Sequence, residues 1–397
     1  MTAAPLLLDL SHTSHTRART GIQRVARALH EALGAQALPI THDPHLDVWR
    51  LLEPWEQANL AENSVEAKRS AQWPLDVKLR ARARRWLTTD ASLRRHNSLP
   101  PSSGLLMPEV FSTSAGSALP ALFAATTGPR VAVFHDAIAL NFPEITPAKT
   151  VARFPHYLVE LLNFDGIAAN SEDSRDSLID YWKWIGATNP PPVCAIPLGV
   201  DPPPVRKDRP TPPGALPIVL SIGSIEGRKN HLALLEACEQ LWKRGLKFEL
   251  RLIGLANAQT GRAAIERIHA LQSAGRSLIY SGPLSDAAVK IAYAECAFTV
   301  YPSLIEGFGL PVIESLSHGK PCVCSARGAL GESARGGGCV TLDKVEADAL
   351  AATIEHLLES PAELAALEKS ARARKFKTWP DYANEIAGWM RTLPQRG

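Results

Sequence analysis

The stretch that decides the fold is PSLIEGFGLPVIESLSHGKPCVCS, which runs from Pro302 to Ser325. A strand is predicted to end near Ser303, and a helix is predicted to begin near Pro311, because proline favours the first helical turn. Gly307 and Gly309 lie between them and allow the backbone to come close to a ligand. The helix offers unpaired N–H groups and a positive dipole end, which suit an anion such as a diphosphate.

Two acidic residues, Glu306 and Glu314, stand eight positions apart around this turn. We expect Glu314 in the first turn of the helix, where a carboxylate can accept hydrogen bonds from both hydroxyls of a ribose. Glu306 precedes the glycines, where it can face a sugar attached beyond the phosphates. A plainer interpretation stays open, in which Glu314 complements the helix dipole and Glu306 is a solvated loop acid.

A basic pair, Arg228 and Lys229, occurs in the earlier segment IGSIEGRKN, residues 222–230. The pair follows a predicted strand of the same domain. Arginine supplies a forked donor and lysine a point charge, and phosphate binding uses both. Taken alone, the pair is equally typical of a basic surface before a helix, but two phosphate-type features after two strands of one sheet favour a phosphate site.

Strands and helices alternate on both sides of these segments. Apolar runs such as PIVLSI (217–222) and amphipathic patterns such as IQRVARALHEAL (22–33) predict parallel sheets covered on both faces. The proline-rich segment 201–216 predicts a linker. We therefore predict an α/β fold of two Rossmann-like domains, over 1–200 and 217–375, with parallel sheets facing an interdomain cleft.

Residues 43–105 interrupt this alternation and predict a helical insertion. The segment VKLRARARRWL (77–87) fits both a strand and a helix period, and its arginine, alanine and leucine content favours helix. Two interpretations stay open for it. It is either a helix with a solvated face, or an interfacial surface for anionic lipid or a lipid-linked acceptor.

Composition excludes several classes of protein. The chain has 397 residues and a formal net charge of +3, which gives no reason to expect a nucleic-acid partner. Its six cysteines lack the spacing of a disulfide framework, which favours reduced thiols in the cytoplasm. Cys322 and Cys324 are interpreted as packing residues rather than metal ligands, because no second ligand pair is visible.

The N-terminus reads as a first strand rather than a signal peptide. No segment approaches about 18 consecutive apolar residues, the length of a membrane span. We therefore expect a cytoplasmic protein, with peripheral contact at the inner face of the membrane as an additional expectation.

Several motifs resemble those of retaining glycosyltransferases of family 4, which have the GT-B fold, and in particular members of bacterial polysaccharide assembly. The segment 302–325 resembles the family's E-x7-E signature, and GSIEGRKN resembles its phosphate segment. SGPLSDAAVKIAYAECAFTVYPS (281–303) and LGVD (198–201) match flanking segments, so the resemblance covers nearly all of residues 193–390. The N-terminal half matches less densely, through RTGIQRVARAL (19–29) and VFHDAIAL (133–140).

The resemblance implies roles for particular residues. The implied catalytic residues are His135, Glu306, Arg228 and Lys229. The implied donor-binding residues are Gly21, Ser224, Arg228, Lys229, Tyr280, Ser281, Gly307, Phe308, Gly309, Leu310 and Glu314. Ser224 departs from the family, since many relatives have arginine there, and Gly227 replaces a common proline. Glu332 fits an acidic position of the family. The segment 376–397 resembles a closing helix that returns to the N-terminal domain.

Other residues carry weaker predictions. His12, His15, Arg17 and Asp136 are candidates for acceptor contacts. Arg24 is either a surface residue or a phosphate contact. A lone histidine after a strand, such as His135, is more often structural, and only the family segment and its expected place in the cleft favour a contact with the donor sugar.

The reaction implied is transfer of a hexose from a nucleotide-diphosphate sugar to a saccharide or lipid-linked glycan, with retention of configuration. The leaving diphosphate needs no acid, because Arg228, Lys229 and the helix end stabilise its charge. Neither a metal nor another cofactor is expected. GDP-mannose is favoured as donor, and uridine or thymidine donors stay open. The alternatives are a nucleotide-sugar epimerase or hydrolase, and a non-catalytic sugar-nucleotide binder.

Overall fold

The computed structural model describes residues 4–18, 21–62, 72–87, 99–201 and 215–394, with only the backbone of 84–87. It divides into two compact domains. The first consists of Met1–Leu140, Ala148–Leu198 and Trp379–Gly397, and the second of Asn141–Pro147 and Gly199–Thr378. Most of the predicted linker, 202–214, lies outside the described residues, as do 63–71 and 88–98 of the predicted insertion.

The first domain is built on a seven-stranded sheet with the order β3-β2-β1-β4-β5-β6-β7. Its strands are β1 Leu6–Asp9, β2 Ala37–Asp43, β3 Val48–Leu51, β4 Gly104–Met107, β5 Arg130–Phe134, β6 Gly166–Ala169 and β7 Val193–Ala195. Neighbouring strands are parallel except β2 and β3, which pair antiparallel with Ile40 opposite Leu51. All residues of β4 and β6 are buried, as expected for apolar strands covered on both faces.

Helices cover this sheet. They are α1 Gly21–Leu33, α2 Pro54–Ala61, α3 Leu75–Leu87, α4 Thr113–Ser117, α5 Leu119–Ala124, α6 Ile138–Asn141, α7 Ala148–Glu160 and α8 Glu172–Trp184. The apolar stripe of α1 is buried, including Val25 and Leu29. Ser171 caps α8 by accepting a hydrogen bond from the Ser174 N–H at 3.1 Å.

The predicted insertion differs from expectation in part. Segment 77–87 does lie in a helix, α3, but Val77 and Ala81 form its buried face, while Leu75 and Leu79 are 76% and 65% exposed. The insertion also contains a strand that the sequence interpretation missed, since β3 adds an edge to the sheet. Peripheral membrane contact by this segment stays a prediction.

The second domain is built on a six-stranded parallel sheet with the order β10-β9-β8-β11-β12-β13. Its strands are β8 Ile218–Ile222, β9 Glu249–Ile253, β10 Leu278–Tyr280, β11 Phe298–Tyr301, β12 Cys322–Ser325 and β13 Cys339–Leu342. Its helices are α9 His231–Lys243, α10 Arg262–Ser273, α11 Asp286–Glu295, α12 Leu310–Ser317, α13 Gly328–Ala334, α14 Ala347–Glu359 and α15 Pro361–Ala373. The predicted α/β class with two parallel-sheet domains is confirmed.

The last helix, α16, spans Trp379–Met390 and belongs to the first domain. It packs against α1. The end of this helix and the residues that follow it also pack closely against the sheet at Gly166 of β6. A Cβ at Gly166 would lie 2.7 Å from the Leu393 side chain and 2.8 Å from that of Trp389. Within the described part of the chain, none of the helices combines the length and apolarity that crossing a membrane requires.

Candidate active site

The strand order of the second domain places two loops side by side. The order reverses between β8 and β11, and ligands of such sheets bind at this switch point, beyond the carboxyl ends of the strands. The loop after β8 carries the predicted phosphate segment, and the loop after β11 carries Glu306. The Leu304 N–H donates a hydrogen bond to the Arg228 carbonyl at 2.8 Å, which ties the two loops together.

The two loops bring together three of the predicted catalytic residues. The Glu306 carboxylate accepts hydrogen bonds from both cations, at 2.5 Å from Arg228 Nη1 through one oxygen and from Lys229 Nζ through the other. Arg228 Nη2 also lies 2.9 Å from Oε1 of Glu226. Two cations and two carboxylates therefore form one ion cluster, which we call the switch-point cluster (Glu226, Arg228, Lys229 and Glu306).

The electrostatics of the cluster keep Glu306 ionised. Burial raises the pKa of this carboxyl, but the charges and hydrogen bonds of Lys229 and Arg228 outweigh burial and lower the pKa to about 2. Burial also lowers the pKa of Lys229, and Glu306 partly offsets this. The side chains of Lys229 and Glu306 are only 12% and 10% exposed, so their interaction is weakly screened by water.

The backbone around Lys229 explains how its side chain reaches the cluster. Residues Gly227–Lys229 form a turn of 3-10 helix, and Asn230 follows with a left-handed φ of 54°. The Asn230 side chain donates a hydrogen bond to the Val345 carbonyl at 2.8 Å, which holds this conformation. The Lys229 side chain then runs beside Gly223, where a Cβ would lie 3.7 Å from its Cε.

The glycine-rich turn leads directly into α12. Gly309 caps this helix with a φ of 94°, and Pro311 is its second residue. The Phe308 carbonyl accepts a hydrogen bond from Ser333 Oγ at 2.5 Å. Because the helix begins at Leu310, Glu314 lies in its second turn, and the prediction of a first-turn position is wrong.

Glu314 is half-buried beside two aromatic hydroxyls. Tyr293 Oη lies 3.4 Å from a Glu314 oxygen and 3.0 Å from Tyr301 Oη. This network orients the carboxylate that we predict to hold a ribose.

The remaining predicted donor residues of this domain lie at the ends of strands. Tyr280 ends β10, and its hydroxyl donates to the Gly254 carbonyl at 3.0 Å. Ser281 is exposed, and its N–H donates to the Leu252 carbonyl at 3.1 Å. Ser224 is half-buried two residues after β8. Glu332 lies in α13.

In the first domain, His135 follows β5 and is 6% exposed. One ring nitrogen, Nδ1, lies 2.9 Å from the Asn170 amide nitrogen, and the other, Nε2, lies 2.7 Å from the Pro108 carbonyl. The amide donates to Nδ1, so Nε2–H donates to Pro108. Burial lowers the pKa of His135, which keeps the ring neutral. Asp136, beside it, accepts a hydrogen bond from the Ile138 N–H at 3.0 Å, at the start of α6.

The predicted acceptor residues differ in accessibility. His15 is 1% exposed, stacks on Trp73 at 4.1 Å between ring centroids, and lies 2.6 Å from Glu56 Oε1. The structure therefore does not place His15 where an acceptor can reach it. Arg17 has a 38% exposed side chain and pairs with Glu62 at 3.1 Å.

The remaining candidates of this domain lie around α1. His12 Nδ1 accepts from Gln23 at 3.1 Å. Gly21 opens α1, and apart from its chain neighbours and the helix backbone no atom of the described residues lies within 4 Å of a Cβ position there. Arg24 is half-buried on the same helix.

Sequence reasoning missed several residues that organise these sites. Glu226 shares Arg228, Asn170 orients His135, and Tyr293 contacts Glu314. Glu226 lies within the quoted phosphate segment, so the charge alternation there was an available signal. Asn170 and Tyr293 carry no sequence signal, because only the fold brings them near their partners. Pairing of β5 with β6 places Asn170 beside His135, and Tyr293 of α11 meets Glu314 of α12 through helix packing.

Comparison with known proteins identifies the second domain. Residues 206–374 match the family Glycosyl transferases group 1. O-antigen chain mannosyltransferase B of Escherichia coli is 31% identical over 180 residues, 44% of this chain and 45% of its own length. The serotype-specific mannosyltransferase WbdA of Escherichia coli is 25% identical over 338 residues, 80% of this chain and 38% of its own length. The chain thus spans less than half the length of these two curated relatives.

Solved structures resemble the chain along nearly its whole length. Sucrose-phosphate synthase from Thermosynechococcus elongatus has a TM-score of 0.68 at 19% identity, covering 98% of both chains. Anabaena HepE, in complex with UDP and glucose, has a TM-score of 0.68 at 15% identity, covering 98% of this chain and 100% of its own. These likenesses confirm the GT-B fold. The match of residues 206–374 to the glycosyl transferases group 1 family confirms the resemblance predicted from the motifs at the level of the family.

Proposed function

We propose that this chain, through its glycosyl transferases group 1 domain, transfers a hexose from a nucleotide-diphosphate sugar to a saccharide or lipid-linked glycan acceptor. The observation that carries the proposal is the switch-point cluster, where Arg228 and Lys229 meet Glu306 at the point of the sheet where ligands of this architecture bind. Two cations held next to each other on a turn suit a diphosphate.

In the proposed reaction, the bond between the anomeric carbon and the diphosphate oxygen breaks. Arg228, Lys229 and the N-terminal end of α12 stabilise the negative charge that develops on the leaving group. The sugar becomes oxocarbenium-like, and the acceptor hydroxyl attacks the same face, so configuration is retained. A leaving phosphate oxygen takes the acceptor proton. Neither a metal nor another cofactor enters the proposal.

Glu306 must act through exchange of partners. Its carboxylate neutralises the two cations, so a diphosphate that binds them competes with Glu306. The carboxylate released from this pairing can accept hydrogen bonds from sugar hydroxyls, which is the role we propose for it. Glu314, oriented by Tyr293, accepts from the ribose.

His135 requires a similar exchange. Both of its ring nitrogens have partners within the first domain. The proposed contact with the donor sugar therefore needs Nε2–H to leave the Pro108 carbonyl. Asp136 and Arg17 stay proposed acceptor contacts. The side chain of Arg17 is already 38% exposed, so an acceptor can reach it without first uncovering it.

The sugar we propose is mannose, carried by GDP, and the process is polysaccharide assembly in the cytoplasm. The two curated relatives reported above are named mannosyltransferases, which supports the sugar. The likeness to HepE, which was solved in complex with UDP and glucose, supports only the fold. The base of the donor therefore needs a direct test, and the donor panel includes uridine sugars.

A thermal-shift screen of GDP-mannose, UDP-glucose and dTDP-glucose tests donor binding. A donor at 100 times its dissociation constant adds about 2.7 kcal/mol to the free energy of unfolding. Lys229→Ala is expected to abolish this shift, whereas Lys290→Ala, an exposed change on α11, keeps it. An unchanged shift in Lys229→Ala would contradict the phosphate assignment.

Nucleotide release with and without an acceptor glycan then tests transfer. Release that depends on the acceptor, with an α-linked product from an α-linked donor, supports a retaining transferase. Conversion of donor at the same rate without acceptor supports an epimerase or hydrolase instead. Donor binding with neither outcome, over a panel of acceptors, supports a non-catalytic binder.

A further inference from the structure

Three cysteine side chains converge on one face of the second sheet. Cys322 and Cys324 are two residues apart in β12 and therefore point to the same face. Strand pairing places Cys339 of β13 directly opposite Cys322. The three sulfur atoms all lie within 4.8 Å of one another. The sequence interpretation of packing rested on two visible cysteines, and the fold supplies the third.

The surroundings of the sulfurs are apolar except for one charge. Cys322 and Cys324 are at most 1% exposed, within a cluster that includes Leu316, Leu330 and Ala371. Among the described residues, no histidine or carboxylate completes the group. Arg374 donates hydrogen bonds to the carbonyls of Ser333 and Gly337, at 3.2 and 3.3 Å, and so holds a positive charge near Cys339.

We propose that Cys322, Cys324 and Cys339 form a binding site for one soft monovalent cation, with Cu(I) as the type ion. Three sulfurs around an ion at about 2.3 Å are about 4 Å apart. The observed group therefore needs to contract by less than about 1 Å. Thiolates are the ligands that Cu(I) prefers.

The number of ligands favours Cu(I) over zinc. Structural zinc takes four protein ligands, and the described residues around this group offer three. Arg374 offsets part of the negative charge that the thiolates leave around a monovalent ion. On binding, each coordinating thiol forms a bond from sulfur to the ion and releases its proton to solvent, and no electron is transferred.

One of the three cysteines is more accessible than the other two. Cys339 is half-buried, unlike the other two cysteines, and it follows the three glycines Gly336, Gly337 and Gly338. Cys339 is therefore the first ligand that we expect an incoming ion to meet.

Anaerobic competition with the Cu(I) chelator bathocuproine disulfonate tests the site. The reduced full chain is expected to remove about one Cu(I) per chain from the coloured chelate, and Cys339→Ser is expected to weaken that binding more than about tenfold. Cys194→Ser is the matched control, because Cys194 is also half-buried but lies in β7 of the first domain. It should bind Cu(I) as the unmodified chain does.

Two further measurements keep the test decisive. Cys324→Ser, with folding checked by circular dichroism, should also lose binding, and Cu(I) should protect Cys339 but not Cys194 from alkylation. The proposal is overturned if the unmodified chain leaves the chelate intact. It is overturned as well if folded Cys339→Ser and Cys194→Ser retain Cu(I) equally. Neither result bears on sugar transfer.

Discussion

Each domain has one carboxylate that joins the loops after its two central strands, but the partners of the two carboxylates differ. In the first domain, Glu109 accepts hydrogen bonds from the backbone N–H groups of His12 and Thr13 at 2.9 and 3.0 Å. In the second domain, Glu306 accepts from the side chains of Arg228 and Lys229. Backbone donors cannot leave without rearranging the loop, whereas side-chain cations can exchange one anion for another.

The comparison separates holding a loop from binding a ligand. Glu109 is 2% exposed and serves donors that the fold must satisfy, so it stabilises the turn after β1. Glu306 serves cations whose charge a phosphate can take over. The four predictions that follow test this distinction, beginning with the largest expected effect.

Glu306→Gln should separate binding from turnover. We expect transfer to fall about 100-fold or more, because the carboxylate that meets the sugar is lost. Nucleoside diphosphate alone should bind roughly threefold to tenfold more tightly, since the cations lose a competing negative charge. Calorimetric titration with GDP or UDP measures this affinity, and Glu359→Gln, an exposed change on α14, is the control. Weaker diphosphate binding by Glu306→Gln would argue against the exchange of partners.

Glu109→Gln should act on stability and leave nucleotide affinity unchanged. Only one oxygen then remains to accept from the His12 and Thr13 N–H groups, and the new amide NH2 faces a buried donor instead of accepting from it. We expect the free energy of unfolding to fall by about 2 to 3 kcal/mol. Urea denaturation measures the loss, with exposed Glu31→Gln on α1 as the control. A fall in nucleotide affinity as large as that of Lys229→Ala would break the comparison.

Asp9→Asn should change how stability depends on pH. Burial, and next the charge of Glu109, raises the pKa of Asp9 to about 7. Above about pH 4, Asp9 is therefore ionised in the unfolded state, whose pKa is 3.8, but it stays protonated in the folded state until about pH 7. The free energy of unfolding therefore falls as the pH rises from about 4 through about 7. Asp9→Asn removes this loss, so we expect it to be roughly 1 to 3 kcal/mol more stable than the unmodified chain at about pH 8.

Urea denaturation at several pH values checks this expectation. Near pH 4 the two proteins should unfold at similar denaturant concentrations, because the unmodified carboxyl is then protonated in the folded state. Equal pH slopes for the two chains would show that Asp9 does not hold its proton. Glu109→Gln should reduce this loss less than Asp9→Asn does, because it removes only the charge that helps to raise the pKa of Asp9, and burial remains.

Gly309→Ala should have the smallest effect of the four. The φ of 94° disfavours alanine, and its Cβ would lie 3.1 Å from Leu330 Cδ2 and 3.2 Å from Ser333 Oγ. We expect a loss of about 1 to 2 kcal/mol in unfolding free energy. At Gly186, with a φ of 69°, no atom of the described residues beyond its chain neighbours lies within 4 Å of a Cβ position, so Gly186→Ala isolates the backbone cost of about 1 kcal/mol. Equal losses at the two positions would show that packing around Gly309 relaxes.

The sequence predicted most of the second domain because its signals are local. Alternating apolar strands and helices predicted the sheet, and the spacing of Arg228, Lys229 and Glu306 placed them after neighbouring strands. Helix α12 begins one residue before the predicted start, and Glu314 therefore lies in its second turn rather than in the predicted first turn. Gly309, rather than a polar residue, caps the helix, so no side chain marked its start.

What the sequence did not predict depends on contacts between distant residues. Glu109 lies 97 positions from His12, and a lone acid after a strand matches no motif. Cys339 became the neighbour of Cys322 only through strand pairing. Strand β3 was missed because its four residues include Arg50, which the strand buries against Asp43 and Glu56.

The place of α16 has a consequence for biosynthesis. Ribosomes make the chain from its N-terminus, so every strand of the second domain emerges before the helix that covers α1, Gly104 and Gly166. Until α16 emerges, the first domain exposes the apolar surface that this helix later covers, and chaperones can bind such a surface. In a nascent chain stalled before Trp379, we therefore expect the second domain to resist proteases better than the first domain does.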